Sequence, residues 1–221
     1  MNRTEAEEHL RVIRSLMEKA TIYRAISAPT ALVGGLASVL FGGALFLLWR
    51  NVPEGVAHEE AGKWFIFGWL GVLLITAVTN AWFIHRDARR RGDRFASPGM
   101  RKALLALLPA MLCGGIFTGF QFVGAGIGPY WILPEMWMVF YGLGLLATAQ
   151  FAPRSIPILG WVFLLSGLSS SAVQRIMEAM GHGGNAFPAM ANLPMICTFG
   201  LYHLIYAACT WPRGGSTGGE T

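Results

Sequence analysis

Charge is what this sequence has least of. Lys, Arg, Asp and Glu make up 13% of its 221 residues, against about a quarter in soluble domains. So few charges cannot cover a water-facing surface, which excludes an ordinary soluble domain. Cysteine is scarce as well: Cys113, Cys197 and Cys209 each fall in an apolar stretch, with no CxxC and no histidine at metal-ligand spacing. That excludes a disulfide framework and a zinc site, and the three read as small hydrophobes. HExxH, a nucleotide-binding loop, a redox motif and paired intramembrane carboxylates are also missing. No catalytic residue is identified on these grounds, and neither a cofactor nor a metal is expected.

What is present in quantity is apolar sequence. Hydrophobic residues make up 54%, alongside 28 Gly and 8 Trp. Six long apolar stretches stand out, at about Thr30–Trp49, Trp64–Ile84, Ala103–Ala125, Leu133–Phe151, Ile156–Ser171 (with a continuation toward Met180) and Leu193–Trp211. All but the fifth have the roughly 20 residues that cross a 30 Å hydrocarbon layer as a helix. The expected fold class is therefore all-α, a polytopic membrane protein of six transmembrane helices. Residues 30–211 form that domain and residues 212–221 a flexible cytoplasmic tail.

Residues 1–29 read differently. Thr4 and Glu7 have capping-box spacing, and Leu10, Ile13, Met17 and Ala20 recur at helical period with Arg11, Arg14, Glu18 and Lys19 on the other side. This predicts a cytoplasmic amphipathic helix ending before Pro29. A mixed-charge helix ahead of a full-length span is not the pattern of a signal peptide.

Lys and Arg set the expected direction. Five lie in the N-terminal segment, seven in 85–102, one in 152–155 and one in the tail; only Arg50, Lys63 and Arg175 fall in the alternate loops. Fourteen against three places both termini in the cytoplasm. The basic run HRDARRRGDRFASPGMRK is explained by the same bias and by attraction to anionic lipid, so no nucleic acid is expected as a partner. Trp49, Trp64, Trp82, Trp131, Trp161 and Trp211 lie near span ends, as in an interfacial aromatic belt.

Polar residues inside the spans are the candidate functional ones, because burying them in hydrocarbon is costly. His203 lies about nine residues from either end of the last span. Tyr141 and Ser166 come to a similar depth and can hydrogen-bond a neutral imidazole. Thr76 and Asn80 form a polar stripe in the second span, and Gln121 in the third is expected to face inward with them. His203, Tyr141, Ser166, Asn80 and Gln121 are thus the candidate intramembrane site. Glu135 and Arg175, opening the fourth span and following the fifth on one side, are a candidate ion pair.

Two sharper chemistries fail on spacing. A haem between helices needs two intramembrane ligands, and His85 sits at a span edge, too far from mid-depth to oppose His203. Six spans with a histidine in the sixth resemble rhomboid proteases, but the fourth span, MVFYGLGLLATAQ, contains no serine. His182 in GHGGNAFPAMANLP lacks a partner at ligand spacing. No repeat of the inverted kind common in transporters relates the two halves.

Gly34, Ser38 and Gly42 in the first span, and Gly115 and Gly119 in the third, have the four-residue spacing that lets helix backbones approach closely. They are expected to pack within the molecule, with a homodimer seam as the sharper alternative.

The strings LRVIRSLMEKATIYRAISAPTALVGG, WMVFYGLGLLA and FGLYHLIY resemble a group of uncharacterised bacterial six-span inner-membrane proteins with a cytoplasmic N-terminal amphipathic helix. That resemblance implies a multi-pass bacterial inner-membrane protein and no particular chemistry. The expected function is a non-enzymatic accessory, sensory or regulatory membrane partner. Its partners would be the lipid bilayer and a cytoplasmic protein met through residues 4–28. The alternative is a small-solute transporter or channel with a polar cavity near His203.

Overall fold

The structure is a computed structural model that describes residues 7–9, 28–50, 58–91, 98–123, 130–150, 152–179 and 190–211. Apart from Glu7–His9 and Ala28, the expected amphipathic helix at 4–28 lies outside the described residues, as does the tail at 212–221.

Every described element is helical. Helix α1 is Ala28–Trp49, α2 is His58–Arg91 and α3 is Pro98–Phe120. A 3₁₀ turn, Tyr130–Ile132, leads into α4, Leu133–Ala147, and α5 is Ser155–Ala179. Helix α6, Asn192–Thr210, begins as an α-turn, widens to a π-helix over Ile196–Tyr202, and is α-helical again from His203. Among the described residues, all but α5 are long and apolar enough to cross a membrane, α4 together with its preceding 3₁₀ turn, which makes five candidate spans. The apolar part of α5, Ser155–Ser170, is 16 residues, or about 24 Å at the helical rise.

The boundaries differ from the hydropathy reading at several ends, α4 for one stopping at Ala147. Helix α2 runs past both ends of its apolar stretch. Helix α3 stops at Phe120, where Gln121, Phe122 and Val123 donate to carbonyls three residues back, a tightening turn typical of a helix end.

Consecutive helices run antiparallel. We call the near end the one that holds the start of α1 and the end of α6. The tightest pairing is α4 against α5. A Cβ on Gly142 would lie 2.7 Å from both the Gly160 carbonyl oxygen and the Leu164 nitrogen, and one on Gly167 would lie 3.0 Å from the Glu135 carbonyl oxygen. Helix α1 is held between α2 and α6: Gly34 meets Thr76, Gly42 meets Ile196 and Trp69, and Gly35 meets Leu204 and the Gly200 carbonyl. The expectation that Gly34, Ser38 and Gly42 face other helices of the same molecule is met. For Gly115 and Gly119 the reverse holds: nothing lies within 4 Å of a Cβ at either position.

Two apolar clusters fill the bundle. The far-end cluster centres on Phe65, Ile66, Trp69, Tyr130 and Leu133. The near-end cluster centres on Met138, Leu145, Ile156, Phe163 and Tyr206, and Phe199 packs on both. Outside them the helices show Leu40, Leu74, Val78, Leu105, Ile116, Leu165 and Ile205 to the surroundings. Monomeric soluble proteins rarely expose apolar surface on that scale, whereas lipid accommodates it.

Candidate functional site

His203 is the first residue after the π-helical turn, and that local irregularity shapes its environment. Its backbone N–H bonds the Gly200 carbonyl. The Phe199 carbonyl, four residues back, lies 3.0 Å from the ring atom Nδ1. A carbonyl only accepts, so in the neutral imidazole the proton sits on Nδ1. Nε2 then carries the lone pair, and it accepts from the Tyr141 hydroxyl of α4 at 3.0 Å. Phe163 and Phe199 complete the surround, with ring centroids 5.5 and 6.3 Å from the imidazole. Both nitrogens are satisfied and the tautomer is fixed.

The five expected site residues do not form one constellation. Tyr141 and His203 come together. Ser166 instead bonds the hydroxyl of Tyr202 at 3.0 Å; depth counting cannot see that Tyr202, one residue before His203, faces α5 in its place. Asn80 accepts from Thr30 at 3.0 Å, tying α2 to α1 toward the near end. Gln121 is buried in the turn after α3, at the opposite end. Thr76 donates to the Val72 carbonyl of its own helix. Glu135 is buried at the start of α4, while the Arg175 side chain lies outside the described residues, so that pair stays an expectation.

Beside the Tyr141–His203 pair is a cavity of about 220 Å³. All the long helices except α5 contribute to its wall: Gly34 and Ser38 from α1, Trp69, Leu73 and Thr76 from α2, Gly114, Gly115 and Thr118 from α3, Trp137 and Phe140 from α4, Met195 and Phe199 from α6. The lining is overwhelmingly apolar. Asn80 and Gln121 have no part in it. Its polar groups are mostly occupied by each other: Trp69 Nε1 donates to Asn192, Trp137 Nε1 to Thr118, and Thr118 to the Gly114 carbonyl.

Sequence reasoning missed this cavity, because each helix contributes only one to a few residues and no motif marks it. One signal was readable, the concentration of Gly and Ser at facing positions of α1 and α3. Among the described residues no group of three or more His, Cys, Asp or Glu side chains is placed to hold a metal. Comparison with protein-family models, curated proteins and solved structures finds no match.

Proposed function

We propose that this chain is a six-span protein of the bacterial inner membrane. Both termini are cytoplasmic, and residues 4–28 form an amphipathic helix on that face. It acts as a non-enzymatic sensory or accessory partner, and its receiving element is the cavity beside Tyr141 and His203. The sixth span is α5. Its apolar part is short, but its glycines keep it in backbone contact with α4 from Gly142–Gly160 to Glu135–Gly167, and a helix so bound shares the depth of its partner. The fourteen-to-three division of basic residues supports the direction, and the resemblance to bacterial inner-membrane proteins supports the location.

The carrying observation is the character of the cavity: apolar, at mid-depth, with a hydrogen-bonded Tyr–His pair on its wall. A transporter for a polar solute needs a wet, polar crevice, and Asn80 and Gln121 would have to line it. A small lipophilic molecule, by contrast, fits an apolar chamber with a few polar groups, which is how ligand sites are commonly built. Bound there, it touches α1, α2, α3, α4 and α6 together and can bias their packing, which a protein partner at the cytoplasmic helix or a second copy of the chain would read.

Native mass spectrometry of protein released gently from its own membranes tests this. A lipophilic adduct at near one-to-one ratio is expected, together with no solute flux through proteoliposomes above the protein-free level. Flux of a small polar solute would replace the sensory reading with the transporter one. Absence of any adduct would remove the cavity from the function.

A further inference from the structure

Ser38 lies on the cavity wall and is 3% exposed, yet among the described residues its hydroxyl makes no hydrogen bond. A helical serine ordinarily donates to the carbonyl one turn back; the Ser38 oxygen is not among the fully buried atoms that lack a partner, so it keeps access to the chamber. The other polar groups of the same chamber are committed. Thr76 and Thr118 donate to backbone carbonyls, both indoles donate to side chains, and Tyr141 donates to His203. What the chamber offers an occupant is therefore one complete hydroxyl, that of Ser38, and acceptor lone pairs such as that on Tyr141. An occupant whose polar group both donates and accepts matches that set; one that only accepts can use Ser38 alone.

The way in is marked by exposure. The exposed residues of the wall are Leu70 and Leu73 on α2 and Gly115 on α3. These two helices both line the chamber, and α2 meets the turn after α3 at the Phe67–Phe122 ring pair toward the far end. Leu70 and Leu73 fall in the middle of the α2 apolar stretch, so the mouth opens at the depth of acyl chains and not at the water interface. Volume limits what enters: a cavity of about 150 Å³ holds a single benzene, so 220 Å³ takes a head with a few carbons. Anything longer leaves its tail in the bilayer.

We infer that this cavity binds a membrane-soluble long-chain alcohol, entering sideways between α2 and α3, with its hydroxyl at Ser38 and its chain lying across Gly115. This rests on the reading of the cavity as the receiving element and names the chemistry of what it receives. Straight-chain and isoprenoid alcohols share that chemistry.

The test uses the full-length protein in lipid nanodiscs with a diazirine-bearing hexadecanol as photoprobe. Labelling should fall on the α2 and α3 segments that carry Leu73 and Gly115. Hexadecanol or farnesol should displace it and hexadecane should not, and whichever alcohol competes better identifies the source. Ser38→Ala should weaken labelling about fivefold, the equivalent of one buried hydrogen bond. Gly115→Phe should block the mouth, while Gly119→Phe, one turn further along the same open face and off the cavity wall, should label as the native protein does. Equal displacement by hexadecane would overturn the assignment to an alcohol. Labelling unchanged in both Ser38→Ala and Gly115→Phe would overturn the site. The competition arm needs no variant, so misfolding of one does not protect the proposal. A native adduct present while every alcohol arm fails leaves the receiving role standing and sinks this inference; absence of both removes both.

Discussion

Ser38 and His203 face the same chamber and meet the cost of burial in opposite ways. His203 has both nitrogens bonded, one to a carbonyl on its own helix and one to Tyr141 on α4. Ser38 has no bond among the described residues, although it is almost wholly covered. Substitutions that touch them should therefore differ in size. Tyr141→Phe leaves Nε2 without its donor and should cost about 0.6 kcal/mol, the average for interhelical bonds in membranes, and at most roughly 1.7. Ser38→Ala removes no bond among the described residues, and the oxygen is not among the buried atoms that lack a partner, so stability should hold to within a few tenths of a kcal/mol. Reversible unfolding of each variant in the same detergent measures both. A clear loss for Ser38→Ala would show that its hydroxyl has a partner in the native protein. At this scale the sequence was half legible. Mid-depth counting brought Tyr141 and His203 together, but it has no angular information, so it could not tell that Ser166 faces Tyr202.

Between helices, what decides packing is how close two backbones come, and the glycines record it. At Gly142 an added methyl meets the Gly160 oxygen and the Leu164 nitrogen at 2.7 Å, and backbone of a neighbouring helix cannot step aside as a flexible side chain can. Gly142→Ala should cost about 1–3 kcal/mol, as overpacking does. Gly115 has open space around it, so Gly115→Ala should be neutral or gain up to about 1 kcal/mol from helix propensity. Thermal unfolding of the pair in detergent checks the contrast, and equal losses would mean that α3 packs against something on its Gly115 face. The sequence showed small-residue spacing in α1 and α3 but gave no way to separate a packed seam from an open one. Gly142, Gly160 and Gly167 escaped notice because they lie on two different helices, and their register appears only when α4 and α5 are side by side. Helix existence was plain for the six long helices the structure describes. Helix ends were less so: α3 closes at Phe120 because a local turn takes over, while the apolar composition runs on to Ala125.

For the molecule as a whole, the antiparallel order of the helices settles which helix ends lie together, and the distribution of basic residues favours one of those ends as the cytoplasmic one. By sequence, fourteen of the seventeen Lys and Arg residues fall in segments that adjoin helix ends of the near end, and Arg50, Lys63 and Arg175 in those that adjoin the other. Moving basic residues across the hydrocarbon layer is costly, by roughly 2.5–3.5 kcal/mol for each at a helix centre, and seven lie in the single loop 85–102. Reporter fusions at Thr221 and Ala57 should therefore read opposite compartments, with Thr221 cytoplasmic. The placement of α5 depends on the same experiment, because five spans and six give opposite answers for the C-terminus relative to the N-terminus. A fusion at Thr221 that reads the outer side, with the N-terminus still cytoplasmic, would overturn the six-span arrangement as a whole, since α6 packs antiparallel to α1. Agreement of the two termini would instead fix the cavity mouth between two lipid-facing helices, α2 and α3, at the level where only a membrane-dissolved molecule can reach it.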